Sequence, residues 1–227
     1  MKSIVPDIFS FYEEIEQGNL NWIKRCLDRM GISIIADFTE NKDLMELFYR
    51  TYVEPYEPHV VICGINPGRF GSGKVGVPFL DSRSLSRLLG LRGDHETEKS
   101  ARFFYSVIRH FGAHRFYSTF YVTNISWLGF TKRGKNINYF KLPAEIRRVI
   151  LDRFIYEMGL VKPTHIISAG REVQKSVMAL KKAGRIDANV DERLNHPRWC
   201  GIDTNREKGY RNYISLLEKF VNSPVQQ

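Results

Sequence analysis

The sequence predicts a three-layer α/β/α fold built on a central, mainly parallel four-stranded sheet. Three observations carry this expectation. Short β-branched runs such as HVVICGI (59–65) and THIISA (164–169) alternate with segments of helical periodicity ten or more residues long, the order that pairs strands in parallel through crossover helices. The runs are continuously apolar, as strands covered on both faces are. The first also ends in turn chemistry, Asn66-Pro67-Gly68.

The elements follow in order. Helical periodicity marks 7–17, 20–29 and 41–52, with Ile8, Phe11, Tyr12 and Ile15, then Leu44, Leu47 and Phe48, on one face of each segment, and Gly18 and Gly31 between segments. The strand at 59–65 enters after Pro55 and Pro58, and a glycine-rich loop runs to Pro78. Helices near 82–90 and 98–111 precede a strand near 116–123, and a basic loop then carries Lys132, Arg133 and Lys135. A helix from Pro143 to Met158, a strand at 164–169, a helix at 171–183, a short strand at 189–194 and a helix at 206–220 complete the pattern. In such sheets ligands bind beyond the carboxyl ends of the strands. Asn66, Asn124 and His196, the last two residues past Leu194, are therefore the candidate site residues.

Composition limits the function classes. With 227 residues the chain reads as one domain, 1–227, in which an acidic helical leader (1–58) packs on a basic α/β core (59–227). The formal charge of +9 hides an asymmetry: residues 1–58 hold 6 basic and 11 acidic side chains, and the remainder holds 28 and 14. A polyanionic partner suits the second part. Cys26, Cys63 and Cys200 lie far apart, so they read as reduced thiols and not as a disulfide or metal framework. His110 and His114 stand four apart, but Gly112 interrupts their helix and no third metal ligand is apparent. No apolar run is long enough for a membrane span or a signal peptide, so an intracellular protein is expected, in the nucleoid of a bacterium or the nucleus of a eukaryote. Gly68 to Lys74 fits the G-x-x-x-x-G-K part of a phosphate loop, yet Val75 replaces the hydroxyl that would bind Mg²⁺, and Gly76 and Pro78 break the helix that should follow. A nucleotide triphosphatase is disfavoured on that ground.

Read together, Gly64-Ile65-Asn66-Pro67-Gly68-Arg69-Phe70-Gly71, then Gly76-Val77-Pro78-Phe79, then Asn124 and Asn195-His196-Pro197, resemble the uracil-DNA glycosylase superfamily. Within it the chain is most similar to the single-strand-selective monofunctional (SMUG-type) uracil-DNA glycosylases, whose first motif reads G-M-N-P-G-P-F-G followed by G-V-P-F, and whose last begins H-P. The resemblance spans about residues 59–211. It implies a monofunctional hydrolase that releases uracil, and 5-modified uracils, from single- or double-stranded DNA, leaving an abasic site for base excision repair. No cofactor or metal is implied, and a monomer is expected.

The resemblance also implies roles. Asn66 would orient the attacking water, and His196 would donate a hydrogen bond to the uracil O2 as negative charge develops there. Asn124 would match the N3–H and O4 of uracil with one acceptor and one donor. Phe79 would stack on the flipped base, with Ile65 and Gly68 bordering it. Arg198 and Trp199 map to a wedge that fills the gap in the stack. Lys132, Arg133, Lys135, Arg198, Arg206, Lys208 and Arg211 are the expected DNA contacts. Two departures stand out: Arg69 replaces a proline, and Arg198-Trp199-Cys200-Gly201 replaces the Ser-Pro-Arg that follows His-Pro in the family. Mismatch-directed glycosylases share Gly-Ile-Asn-Pro-Gly but carry Asn-Pro-Ser late, so His196 favours the SMUG side. A glycosylase for mismatched or deaminated purine bases, and a nucleic-acid-binding module without catalysis, remain open alternatives.

Overall fold

The computed structural model describes residues 2–92 and 97–222. In chain order these form α1 (Val5–Glu16), α2 (Asn21–Arg29), β1 (Ile32–Ile35), α3 (Lys42–Tyr52), β2 (Val60–Gly64), α4 (Ser72–Val75), α5 (Ser82–Leu88), α6 (Lys99–Phe111), α7 (Ala113–Thr119) and β3 (Phe120–Asn124). There follow β4 (Gly129–Lys132), β5 (Lys135–Ile137), α8 (Ala144–Val161), β6 (His165–Ser168), α9 (Arg171–Lys182), β7 (Asn189–Val190), α10 (Pro197–Cys200) and α11 (Asp203–Val221). Single 3-10 turns precede α3 and α8.

The main sheet has the order β3-β2-β6-β7, every pair parallel, with helices flanking it. Its central strand is apolar on both faces, and Val60, Val61, Ile62 and Cys63 are fully buried. Burial of each such side chain contributes about 1.5–3 kcal/mol. Val5, Phe11, Ile15, Leu27 and Met45 from the acidic N-terminal segment belong to the same buried cluster as these strand residues. No helix among the described residues is long and apolar enough to cross a membrane.

Three expected elements differ. The run FYST at 116–119 closes helix α7 instead of opening a strand, and Phe116 and Tyr117 pack edge-on against Phe104 and Phe48. A short aromatic run satisfies helix and strand periodicity alike, and here the neighbours decide. The basic segment at 132–135 is not a loop but the tip of a hairpin, β4-β5, turned by Arg133 and Gly134, both at positive φ (49° and 68°). Two consecutive residues of that kind make the type I′ turn that matches strand twist. β1 pairs antiparallel with β4, Ile32 opposite Lys132, so the N-terminal segment supplies the third strand of a small second sheet. The strand expected over 189–194 is reduced to Asn189–Val190 plus a bridge from Ala169 to Leu194.

One carboxylate lies in the core. Glu157 of α8 is 1 % exposed, yet it accepts hydrogen bonds from Tyr121 Oη and Thr123 Oγ1, both 2.8 Å from Oε1, and from Trp127 Nε1, 2.8 Å from Oε2. It ties helix α8 to the strand and loop on either side of Asn124. Burial pushes its pKa up to about 7 despite these three donors. The folded chain thus holds a proton that the unfolded chain releases above pH 4.5, so this contribution is complete below pH 4.5 and is lost as pH rises through about 7. In chemical denaturation over that range, the wild type is expected to lose stability with rising pH relative to Glu157→Gln, which cannot titrate. Parallel profiles would mean that the carboxyl is ionised throughout.

Candidate active site

The register of the main sheet builds the site. β2 and β3 run side by side with Gly64 opposite Asn124, and the pairing continues past both strand ends through Ile125 N to Gly64 O (2.9 Å) and Ser126 N to Ile65 O (3.0 Å). The two chains therefore leave the sheet together. A Cβ on Gly64 would overlap Asn124 Oδ1 and stand 2.5 Å from Phe79 Cζ, so only glycine lets both side chains meet there. Phe79 adopts φ 61°, a costly conformation for a bulky residue. Its ring stacks on Phe104 with centroids 4.7 Å apart and planes 27° apart, which fixes its position.

Asn66 is oriented from both ends of its carboxamide. Oδ1 accepts from Tyr139 N (3.1 Å), and Nδ2 donates to Pro67 O (3.1 Å). The backbone donor at Tyr139 decides which end is oxygen, and one lone pair of Oδ1 stays available. Tyr139 follows the β4-β5 hairpin, so that second sheet is what positions Asn66.

His196 caps the short helix α10, its Nδ1 accepting from Arg198 N at 3.1 Å. A ring that accepts at Nδ1 carries its proton at Nε2. Burial lowers its pKa to about 4, and the neighbouring Arg198 charge acts in the same direction. At neutral pH it is an uncharged donor.

Ile65, Asn66, Gly68, Phe79, Asn124, His196 and Arg198 line one cavity of about 210 Å³. Pro67, Ser72, Glu98, Ser100, Asn136 and Asn138 complete its wall. A larger cavity, about 460 Å³ near Met158 and Ile186, holds none of the strand-end residues. The other expected DNA contacts stand outside. Trp199 is 37 % exposed beside the cavity, and Lys132, Arg133 and Lys135 project from the hairpin that also carries Asn136. Arg206, Lys208 and Arg211 lie along α11, where Arg206 pairs with Asp203 (3.6 Å) and Arg211 with Glu207 (3.1 Å). His110 and His114 serve different tyrosines, Tyr210 and Tyr56.

Asn136, Asn138 and Glu98 are not among the residues that the motifs mark. The two asparagines alternate, as side chains on one face of a strand do, and that period was their single signal. Glu98 sits in a charged stretch, ETEK, with no motif to mark it. The glycine-rich segment has its own explanation. Val75 is fully buried, and a Cβ on Gly73 would lie 2.7 Å from Gly68 O and 2.9 Å from Ile35 Cγ2, so packing accounts for the glycine that imitates a phosphate loop.

The neutrality of His196 can be measured directly. In a histidine NMR titration one imidazole is expected to stay uncharged, with its proton on Nε2, from neutral pH down to the neighbourhood of pH 4. A midpoint near the ordinary value of 6.5 for every histidine would show that this ring is solvated.

Comparison with known proteins shows the family. The family model described as the uracil DNA glycosylase superfamily matches residues 51–218. The crystal structure of wild-type SMUG2 from Pedobacter heparinus is similar, with a TM-score of 0.73 and 29 % sequence identity over 85 % of this chain and 90 % of that one. A search of curated proteins finds no match. The parallel sheet, the paired motifs beyond its strand ends and the span of the family match together place this chain in the uracil DNA glycosylase superfamily, as a SMUG-like, DNA-acting glycosylase.

Proposed function

We propose that this chain hydrolyses the N-glycosidic bond of uracil in DNA, releasing the free base and leaving an abasic site. The observation that carries the reading is the convergence of Asn66, Phe79, Asn124 and a neutral, Nε2-protonated His196 on one small cavity. The reaction produces an oxocarbenium-like sugar and a departing uracil anion. A donor at His196 Nε2 meets the charge that develops on O2, and it needs no prior protonation to do so. Asn124 supplies an acceptor for the N3–H of uracil and a donor for its O4; cytosine presents the opposite pair, and each unpaired group costs about 1–3 kcal/mol. Phe79 offers a stacking surface, and Asn66 holds water by orientation, since a carboxamide is not a base. Among the described residues no lysine lines the cavity, in keeping with hydrolysis without a Schiff base.

The test is base release, without added metal, from single-stranded and duplex oligonucleotides holding one uracil. Asn66→Ala and His196→Ala are each expected to lower the rate by about 10²–10³ with DNA binding retained. A wild type that releases no uracil from either substrate overturns the proposal.

Phosphate contacts are assigned here to Lys132, Arg133 and Lys135 at the hairpin tip, with Arg198 at the mouth of the cavity. The logarithm of the DNA association constant should then fall linearly with the logarithm of salt concentration. Replacing Lys132 and Lys135 together by alanine should make that slope shallower by about 2. An unchanged slope would place the phosphates elsewhere.

A further inference from the structure

Glu98 contributes the one carboxylate among the described residues that line the cavity, in a protein whose charge otherwise suits a polyanion. It occupies the residue before helix α6, where a side chain ordinarily turns back to cap the helix, and it makes no such bond. Its main chain is fixed instead. Glu98 N donates to Asp81 Oδ2 at 2.7 Å, and the fully buried Asp81 caps α5 through Ser84 N at 2.8 Å. The side chain points at the bare Cα atoms of the first motif. A Cβ on Gly71 would overlap Glu98 Oε2, and one on Gly68 would lie 3.9 Å from Glu98 Oε1 and 3.3 Å from Asn136 Nδ2. Among the described residues the carboxylate has no hydrogen-bond or ion-pair partner. The space that the missing side chain of Gly68 leaves, two residues from Asn66, is thus faced by one carboxylate oxygen and one amide donor.

Asn66 cannot remove a proton from water, and its Oδ1 already accepts from Tyr139 N. We propose that Glu98 is a further catalytic residue of this chain, the proton acceptor for the attacking water held in the space beside Gly68. This inference rests on the glycosylase reading above. As the water oxygen bonds to C1′, the C1′–N1 bond breaks and its electron pair leaves on the base, stabilised at O2 by His196. One water proton passes to Glu98. Glu98 then returns that proton to solvent and the uracil anion takes one up, so the sum is DNA plus water giving an abasic site plus uracil.

The experiment compares wild type, Glu98→Gln and Glu98→Asp in single-turnover release of uracil. Binding is measured alongside on an oligonucleotide with a non-hydrolysable 2′-fluoro uracil nucleotide. Glu98→Gln keeps the size and removes the base, so its rate is expected to fall about 100-fold or more. Its binding should be unchanged or tighter, because a negative charge beside DNA is gone, and its thermal unfolding should match the wild type. Glu98→Asp should keep an intermediate rate, which holds the test open if the amide variant folds poorly. An active wild type with Glu98→Gln within threefold of it overturns the proposal, as does a rate loss matched by an equal loss of binding. A wild type inactive on uracil overturns the glycosylase reading and this step with it.

Discussion

The site depends on the absence of one side chain. At Gly64 the central strand leaves the sheet with no Cβ, and into that vacancy come the carboxamide of Asn124 from the neighbouring strand and the ring of Phe79 from the loop that follows the first motif. Any larger residue would separate the proposed base-reading group from the proposed stacking surface. Parallel pairing makes the meeting obligatory. Once Val60 pairs with Phe120, Gly64 must stand beside Asn124, because a parallel register is set along the whole strand by the buried apolar residues on both faces.

The second sheet imposes a different constraint. Tyr139 N can reach Asn66 Oδ1 because the β4-β5 hairpin lies across the first motif, and β1 holds that hairpin in place from nearly a hundred residues earlier in the chain. The acidic N-terminal segment is therefore coupled to the carboxamide on which the proposed chemistry relies. Its side chains share the buried cluster, and Phe11 meets Trp127 edge-on at 5.8 Å. Trp127 in turn donates to Glu157, which also receives the hydroxyls on either side of Val122. Three donors on one buried carboxyl make the strand end beneath Asn124 stiff. Stiffness at that point keeps Asn124 in register beside Gly64.

Electrostatics divides the molecule by depth. Exposed lysines and arginines at the hairpin tip suit long-range attraction of a polyanion, which salt screens. The cavity is lined by amides, two serines, a neutral imidazole, one carboxylate and the guanidinium of Arg198. A hydrogen bond made against such a wall is less screened than one at the open surface. A basic exterior with an uncharged donor within fits a polyanionic chain that presents a neutral base, whose charge appears only as the bond breaks.

The amino-acid sequence alone determined the layers, the parallel strands and the strand-end residues Asn66, Asn124 and His196. Buried strands are written as continuous apolar runs, and the turns after them as Asn-Pro-Gly or His-Pro. It misread the segment at 116–119, where aromatic residues fit either period, and the hairpin at 129–137, whose short, half-exposed strands carry little apolar alternation. Tertiary structure alone decided that Glu98 and Asn136 face each other across the bare Cα of Gly68, and that Glu157 lies under Asn124. Those placements come from contacts between residues distant in sequence, and a charged or amide side chain looks the same in the chain whether it ends in solvent or against a cavity wall.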